Sequence, residues 1–230
     1  MRLDKALADM GVATRSELKK LARNRRIKVN GEVVRDPAMQ VNPETDELSL
    51  DDEVIVYQKY VYFLLNKPAG LISASTGAGT VMELFDEPYK GLFPCGRLDR
   101  DTTGLLLVTN DGQLAHELLS PKKHVDKEYE VTLRDPISED DITAFKEGIM
   151  IDGDEQCLPS ECTITTQNTC HMILHEGKYH QVKRMFLARG NEVTALKRIR
   201  MKNLMLDESL APGKYRELSE AELDDLRSPV

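Results

Sequence analysis

Apolar positions along the first thirty residues change period, and the change marks two elements. Leu18, Leu21 and Ala22 recur at spacings of three and four behind Thr14-Arg15-Ser16-Glu17. That is the apolar side of a helix opened by a capping box, with Thr14 as N-cap and Glu17 reaching back, and it predicts a helix through about Arg25. Lys19, Lys20, Arg23 and Arg26 fall mostly on the opposite side and form one basic ridge. Ile27, Val29, Val33 and Val34 then flank Asn30-Gly31. Asn-Gly supplies the positive φ angles of a type I′ turn, so a short hairpin is expected there.

A second shift comes near residue 60. Asp51 to Tyr57 closes a polar stretch, and Val61-Tyr62-Phe63-Leu64-Leu65 begins a strongly apolar strand. This divides the chain into a small domain over 1–57, a linker over 58–60 and a larger domain over 61–230. Within the larger part, short apolar strands alternate with helical patterns. The regular strand-helix rhythm and glycine fingerprint of a doubly wound sheet are missing, which points to an α+β fold. The small, polar run from Ser73 to Gly79 reads as a flexible loop.

Composition adds a constraint through charge. The net charge of −8 argues against a polyanionic partner, yet residues 1–35 hold ten Lys or Arg against four Asp or Glu. Asp36 to Tyr57 has seven acids and no base. Charge is therefore segregated, and the basic segment is the one that can meet phosphates. No apolar run is long enough to span a membrane, and the acid in Met1-Arg2-Leu3-Asp4-Lys5 does not suit a signal peptide, so the cytoplasm is the expected compartment. Cys95, Cys157, Cys162 and Cys170 contain no CxxC pair and fit no zinc spacing; reduced thiols and no metal are expected.

Three segments carry candidate chemistry. Gly96-Arg97-Leu98-Asp99-Arg100-Asp101-Thr102-Thr103-Gly104 sets two carboxylates between glycines and beside an apolar strand. Such a support can project a carboxylate into a cleft, although a structural ion-pair cluster would look the same. Lys127 to Leu133 is a strand in which Tyr129 shares a face with Val131 and Leu133, which suits a core tyrosine or a ring facing a ligand. The third runs from Cys170 to Phe186, as strand, glycine turn and helix. Between Lys183 and Lys202 stand Lys183, Arg184, Arg189, Lys197, Arg198, Arg200 and Lys202 against the single acid Glu192, which favours a phosphate-facing wall.

These segments resemble known sequences. Residues 1–57, through Met1 to Leu7, the helix near Ala13 and Ile27 to Val34, resemble an S4 RNA-binding domain. Gly-Arg-Leu-Asp followed by Thr-Gly-Leu-Leu, Lys-x-Tyr, and Glu-Gly-x-Tyr-His-Gln-Val-Lys-Arg-Met resemble, in that order, the motifs of the RNA pseudouridine synthases. The resemblance implies a mixed, mainly antiparallel sheet with a central cleft, and Asp99 as catalytic carboxylate. It further implies Tyr129 as the ring that packs on the target base, Lys183 as the cation paired with Asp99, and Leu174 as a wall of the base pocket. Arg97, His180 and Arg184 are assigned to the substrate, His180 for positioning rather than as a general base. Lys19, Lys20, Arg23 and Arg26 are assigned to RNA. The implied reaction isomerises a uridine with no cofactor and no metal, in a monomer.

The absence of a long basic tail and the presence of the S4-like segment make the chain most similar to members acting on 16S ribosomal RNA, here expected as a partly assembled small subunit. A 23S rRNA uridine is the alternative target, and a non-catalytic RNA-binding assembly factor the alternative class.

Overall fold

The computed structural model of the chain describes residues 1–86 and 89–229. It separates into two compact units, Met1–Val61 with Asp86–Leu92, and Tyr62–Phe85 with Phe93–Val230. The short return of the chain at Asp86–Leu92 is invisible to a linear reading. One of its anchors is the Lys90 amide, which donates to the Asp9 carbonyl at 3.3 Å.

In the first unit, helices α1 (Leu3–Asp9) and α2 (Arg15–Arg23) precede strands β1 (Ile27–Val29), β2 (Glu32–Val33), β3 (Leu48–Leu50) and β4 (Glu53–Ile55). The strands form an antiparallel sheet in the order β2-β1-β3-β4. Leu3, Leu7, Leu18, Ala22, Ile27 and Leu48 make a closed apolar core between helices and sheet. Thr14 caps α2 with the reciprocal Glu17 bond that the sequence pattern requires. The helix stops at Arg23, two residues before the expected end, because Arg25 turns left-handed at φ 60°. Asn30 and Gly31 take φ 52° and 78°, which closes the β1–β2 hairpin.

The second unit contains β5 (Tyr62–Lys67), β6 (Phe93–Pro94), β7 (Thr103–Thr109), α3 (Gly112–Leu119), β8 (Lys127–Leu133) and α4 (Glu139–Glu147). They are followed by β9 (Met150–Ile151), β10 (Glu155–Gln156), β11 (Glu161–Thr166), β12 (Thr169–Leu174) and α5 (Gln181–Ala188). Strands β13 (Val193–Met201), β14 (Leu204–Met205) and β15 (Tyr215–Glu217) and helix α6 (Glu220–Arg227) complete it. Nine strands form one sheet along the path β11-β12-β8-β13-β7-β5-β15, with β14 on β13 and β6 on β7. Every pairing in it is antiparallel except β13 with β7.

That parallel pairing sits directly behind the carboxylate loop. Gly104, at φ 96°, lies so near β13 that a Cβ there would come within 2.2 Å of the Arg198 carbonyl oxygen. No other residue fits this approach, so the glycine fixes where the loop enters the sheet. Strand β5 is buried along its whole length, and Phe145, Met185 and Phe186 of α4 and α5 pack on Val131 and Met172 of the sheet. All four cysteines are free and buried. Among the described residues no helix is long and apolar enough to cross a membrane.

Candidate active site

The loop from Gly96 to Thr102 is held from three directions before any substrate arrives. At the end of β5 the Lys67 side chain turns inward and its Nζ donates to the carbonyls of Pro68 at 3.0 Å, Arg100 at 3.3 Å and Thr102 at 2.9 Å. Gly70 and Arg100 exchange bonds, amide to carbonyl at 2.8 Å and guanidinium Nε to carbonyl at 2.9 Å. The buried Ser73 hydroxyl accepts from the Leu98 amide at 3.0 Å and donates to the Leu98 carbonyl at 3.1 Å. The Ser73–Gly79 segment is thus not free at its ends, since the Ile72 amide also reaches the Gly79 carbonyl at 2.9 Å. Burial pulls the Lys67 ammonium down to about 8, against the pull of Asp101 and Asp99 in the other direction.

Helix α5 brings the cation. Lys183 Nζ lies 3.2 Å from Asp99 Oδ2 and 2.6 Å from Asp101 Oδ1. His180 Nε2 lies 3.5 Å from Asp99 Oδ1. Both reach the same carboxylate because residues three apart share a helix face. His180 is the N-cap and adopts φ 47°, a left-handed conformation that turns the chain into the helix. Burial lowers the Lys183 ammonium, but the bonds from Asp101 and Asp99 outweigh it and leave its pKa raised; the same Lys183 bond holds Asp101 below the usual carboxylate range. The turn before the helix is braced by Gln181, whose amide nitrogen donates to Glu176 at 2.7 Å and whose oxygen accepts from the Lys178 amide at 2.9 Å.

A crevice of about 80 Å³ opens beside Asp99, lined among others by Arg97, Tyr129, Leu174, His180, Val182 and Leu196. This is well below the roughly 300–1,000 Å³ of a pocket for a drug-sized molecule, so it is a narrow slot. Tyr129 stands in register between Met172 on β12 and Arg198 on β13, which fixes its ring at the sheet's centre. Leu174, at the end of β12, is buried in the same wall.

Asp99, Tyr129, Lys183, Arg97, Leu174 and His180 are therefore gathered at one place, and Arg184 is not. Its guanidinium is bound to Asp152 at 2.6 Å, Glu155 at 2.6 Å and the Tyr179 carbonyl at 2.9 Å. Neighbours on a helix point about 100° apart, so Lys183 and Arg184 cannot both face Asp99. The basic wall over 183–202 also dissolves. Arg189 is paired with Asp141 at 2.7 Å, Arg200 with Glu128 at 2.6 Å, and Lys202 is buried with its Nζ on the Leu226 carbonyl at 3.0 Å. Arg198 is buried too, donating to the Leu105 carbonyl at 2.7 Å. The acids that neutralise Arg189 and Arg200 arrive from elements distant in the chain, Asp141 from α4 and Glu128 from β8.

In the first unit, Lys19, Lys20 and Arg23 line a concavity of about 440 Å³ together with Arg2, Asp4, Arg15 and Ser16. Arg26 lies off this surface, held bidentate by Asp51. Lys67, Ser73 and Gln181 are the positions that sequence reasoning passed over. The one available hint was a lysine following the apolar run of 61–65 at Asn66-Lys67-Pro68.

The model of the family described as RNA pseudouridylate synthase matches residues 61–188, and that of the S4 domain matches residues 1–48. An uncharacterized RNA pseudouridine synthase of Bacillus subtilis is 44% identical over 237 residues, covering 100% of this chain and 99% of the relative. Ribosomal small subunit pseudouridine synthase A of Haemophilus influenzae is 42% identical, covering 98% and 99%, and that of Escherichia coli 40%, covering 97% and 98%. A solved structure titled as a crystal structure of pseudouridylate synthase superposes with a TM-score of 0.71 at 41% identity, covering 98% of this chain and 99% of that one.

Proposed function

The chain belongs to the RNA pseudouridylate synthase family and is an RNA pseudouridine synthase; from that premise we propose that Asp99 is its catalytic carboxylate and that its substrate is a uridine of 16S ribosomal RNA. The observation that carries the reading is the convergence of Lys183 and His180 on Asp99 at a slot walled by Tyr129 and Leu174. The slot takes the uracil after it leaves the RNA stack, and the Tyr129 ring replaces the stacking that the base has lost.

The reaction is an internal rearrangement. The bond from C1′ to N1 of uracil breaks, the ring turns within the slot, a bond from C1′ to C5 forms, the proton leaves C5, and N1 takes up a proton. Atoms and electrons balance without a co-reactant. Asp99 acts on the sugar and base at the moment when their connection is lost, and Lys183 orients it. The loop's three anchors at Lys67, Gly70 and Ser73 keep the carboxylate in place through both bond changes, so little reorganisation is left for the reaction itself.

The small-subunit target rests on the relatives of Haemophilus influenzae and Escherichia coli, whose names give that substrate. The basic surface at Lys19, Lys20 and Arg23 supplies sequence-independent attachment to the phosphate backbone. Assembling small subunits, met in the cytoplasm, present the uridine, and one copy of the chain holds every residue of the slot. Pseudouridine mapping in 16S and 23S rRNA from cells with the gene, without it, and with Asp99→Asn tests the whole reading. One 16S uridine should remain unmodified in the last two strains; a missing 23S pseudouridine instead would move the target, and no change would refute the assignment.

A further inference from the structure

Tyr179 is 76% exposed, yet its backbone is braced and its ring is stacked. Its ring lies flat on His180, with centroids 3.9 Å apart and planes 18° from parallel. Its carbonyl accepts from Arg184 Nη1 at 2.9 Å, and Arg184 is tied in turn to Asp152 and Glu155. The adjacent Lys178 is anchored to Glu155 at 3.1 Å. A large ring standing in water on a braced backbone does not contribute a buried surface to the fold. It offers a preformed face to something else, with little ordering left to do on binding.

We infer that Tyr179 is a stacking platform for a nucleotide base adjacent to the target uridine in the same RNA strand. The occupant follows from continuity with the active site. The covered face of Tyr179 rests on His180, and His180 reaches Asp99 at 3.5 Å, so the free face looks out from the edge of the slot. When a uridine leaves its stack, each neighbouring base loses a partner, and an aromatic face beside the slot replaces that contact. The platform accepts any base, because every base has a π-face, so it lends affinity and strand placement rather than sequence choice. It also gives Arg184 a role different from the one its motif suggests: its bonds hold the platform's backbone.

This inference rests on the reading of Asp99 and the slot as the site where a 16S uridine is modified. The test uses the full chain with a 16S rRNA transcript, measuring affinity over a range of salt and single-turnover rates at saturating RNA for wild type, Tyr179→Phe and Tyr179→Ala. Tyr179→Ala should weaken binding about tenfold or more while leaving the salt slope unchanged, since no phosphate contact is lost, and Tyr179→Phe should bind within about twofold of wild type. The saturated rate should change much less than the affinity. Wild-type affinity in Tyr179→Ala would overturn the inference, as would a loss of rate without loss of affinity, which would leave Tyr179 as a prop for His180. The affinity comparison decides the platform whichever way wild-type turnover falls, and absence of wild-type turnover on both the transcript and partly assembled small subunits counts against the 16S reading alone. Both substitutions are at an exposed ring, so equal melting temperatures are expected for all three proteins.

Discussion

Lys183 lies closer to Asp101 than to Asp99, at 2.6 Å against 3.2 Å, so one ammonium serves two carboxylates of the same loop. Asp101 is 73% exposed and Asp99 24%, which divides their roles: the outer acid helps to position Lys183, and the inner one faces the slot.

That division predicts unequal losses. Asp99→Asn should lower single-turnover isomerisation by roughly 10³-fold or more, since the reacting group itself is removed. Asp101→Asn should stay within about tenfold, because an exposed ion pair contributes little and Lys183 keeps Asp99. Lys183→Met should cost about 10²-fold in rate with RNA affinity nearly unchanged. Equal defects at Asp99 and Asp101 in single-turnover assays would defeat the assignment.

Lys67 gives the protein an alkaline signature. Its folded pKa of about 8 lies below the ordinary 10.5, so below pH 8 both states hold the proton and the folded state bears the full cost of the buried charge. Between about 8 and 10.5 the unfolded chain binds more protons, and stability rises with pH. Relative to Lys67→Met, wild type should gain at most about 3 kcal/mol across that window in denaturant titrations. Activity should run the other way, because a neutral amine has two N–H donors for the three carbonyls of Pro68, Arg100 and Thr102, and the two in the loop are then held less firmly. A wild-type rate that does not fall above pH 8, or falls identically in Lys67→Met, would show that Lys67 does not hold the loop.

The basic surface of the first unit makes a graded prediction. Lys19→Gln, Lys20→Gln and Arg23→Gln should each weaken RNA binding and lower the magnitude of the salt slope by about 0.7–0.9. Arg26→Gln should lower it by much less, because Asp51 already neutralises that guanidinium. Filter binding across salt concentrations measures all four, and a full-sized change at Arg26 would contradict its pairing.

Gly104→Ala should destabilise the second unit by about 3 kcal/mol or more, since it combines a positive φ with a clash against the Arg198 carbonyl. The loop feeding β7 would have to move, so the variant should lose activity even where it remains folded. Thermal unfolding and turnover below the melting transition provide the two readings.

What the sequence determined by itself is local. The Thr14–Glu17 capping box, the Asn30-Gly31 turn, the apolar strand at 61–65 and the Asp99 loop between glycines depend on neighbours a few residues away, and their residue types state their conformations. The motif order also carried the family. Where an element's surroundings come from afar, local reading failed. The seven bases over 183–202 counted as a wall because Glu128, Asp141 and Glu155 were out of sight, and those acids bind Arg200, Arg189 and Arg184. Lys67 could not be seen as a brace until β5 and β7 were in register and set its Nζ among the carbonyls of residues 68, 100 and 102. Arg184 lies away from the Asp99 carboxylate for the same reason, bound to Asp152, Glu155 and the Tyr179 carbonyl. Tertiary structure alone decides which charge is already neutralised and which face remains open, because Coulomb and hydrogen-bond energies follow distance in space, and distance along the chain does not report it.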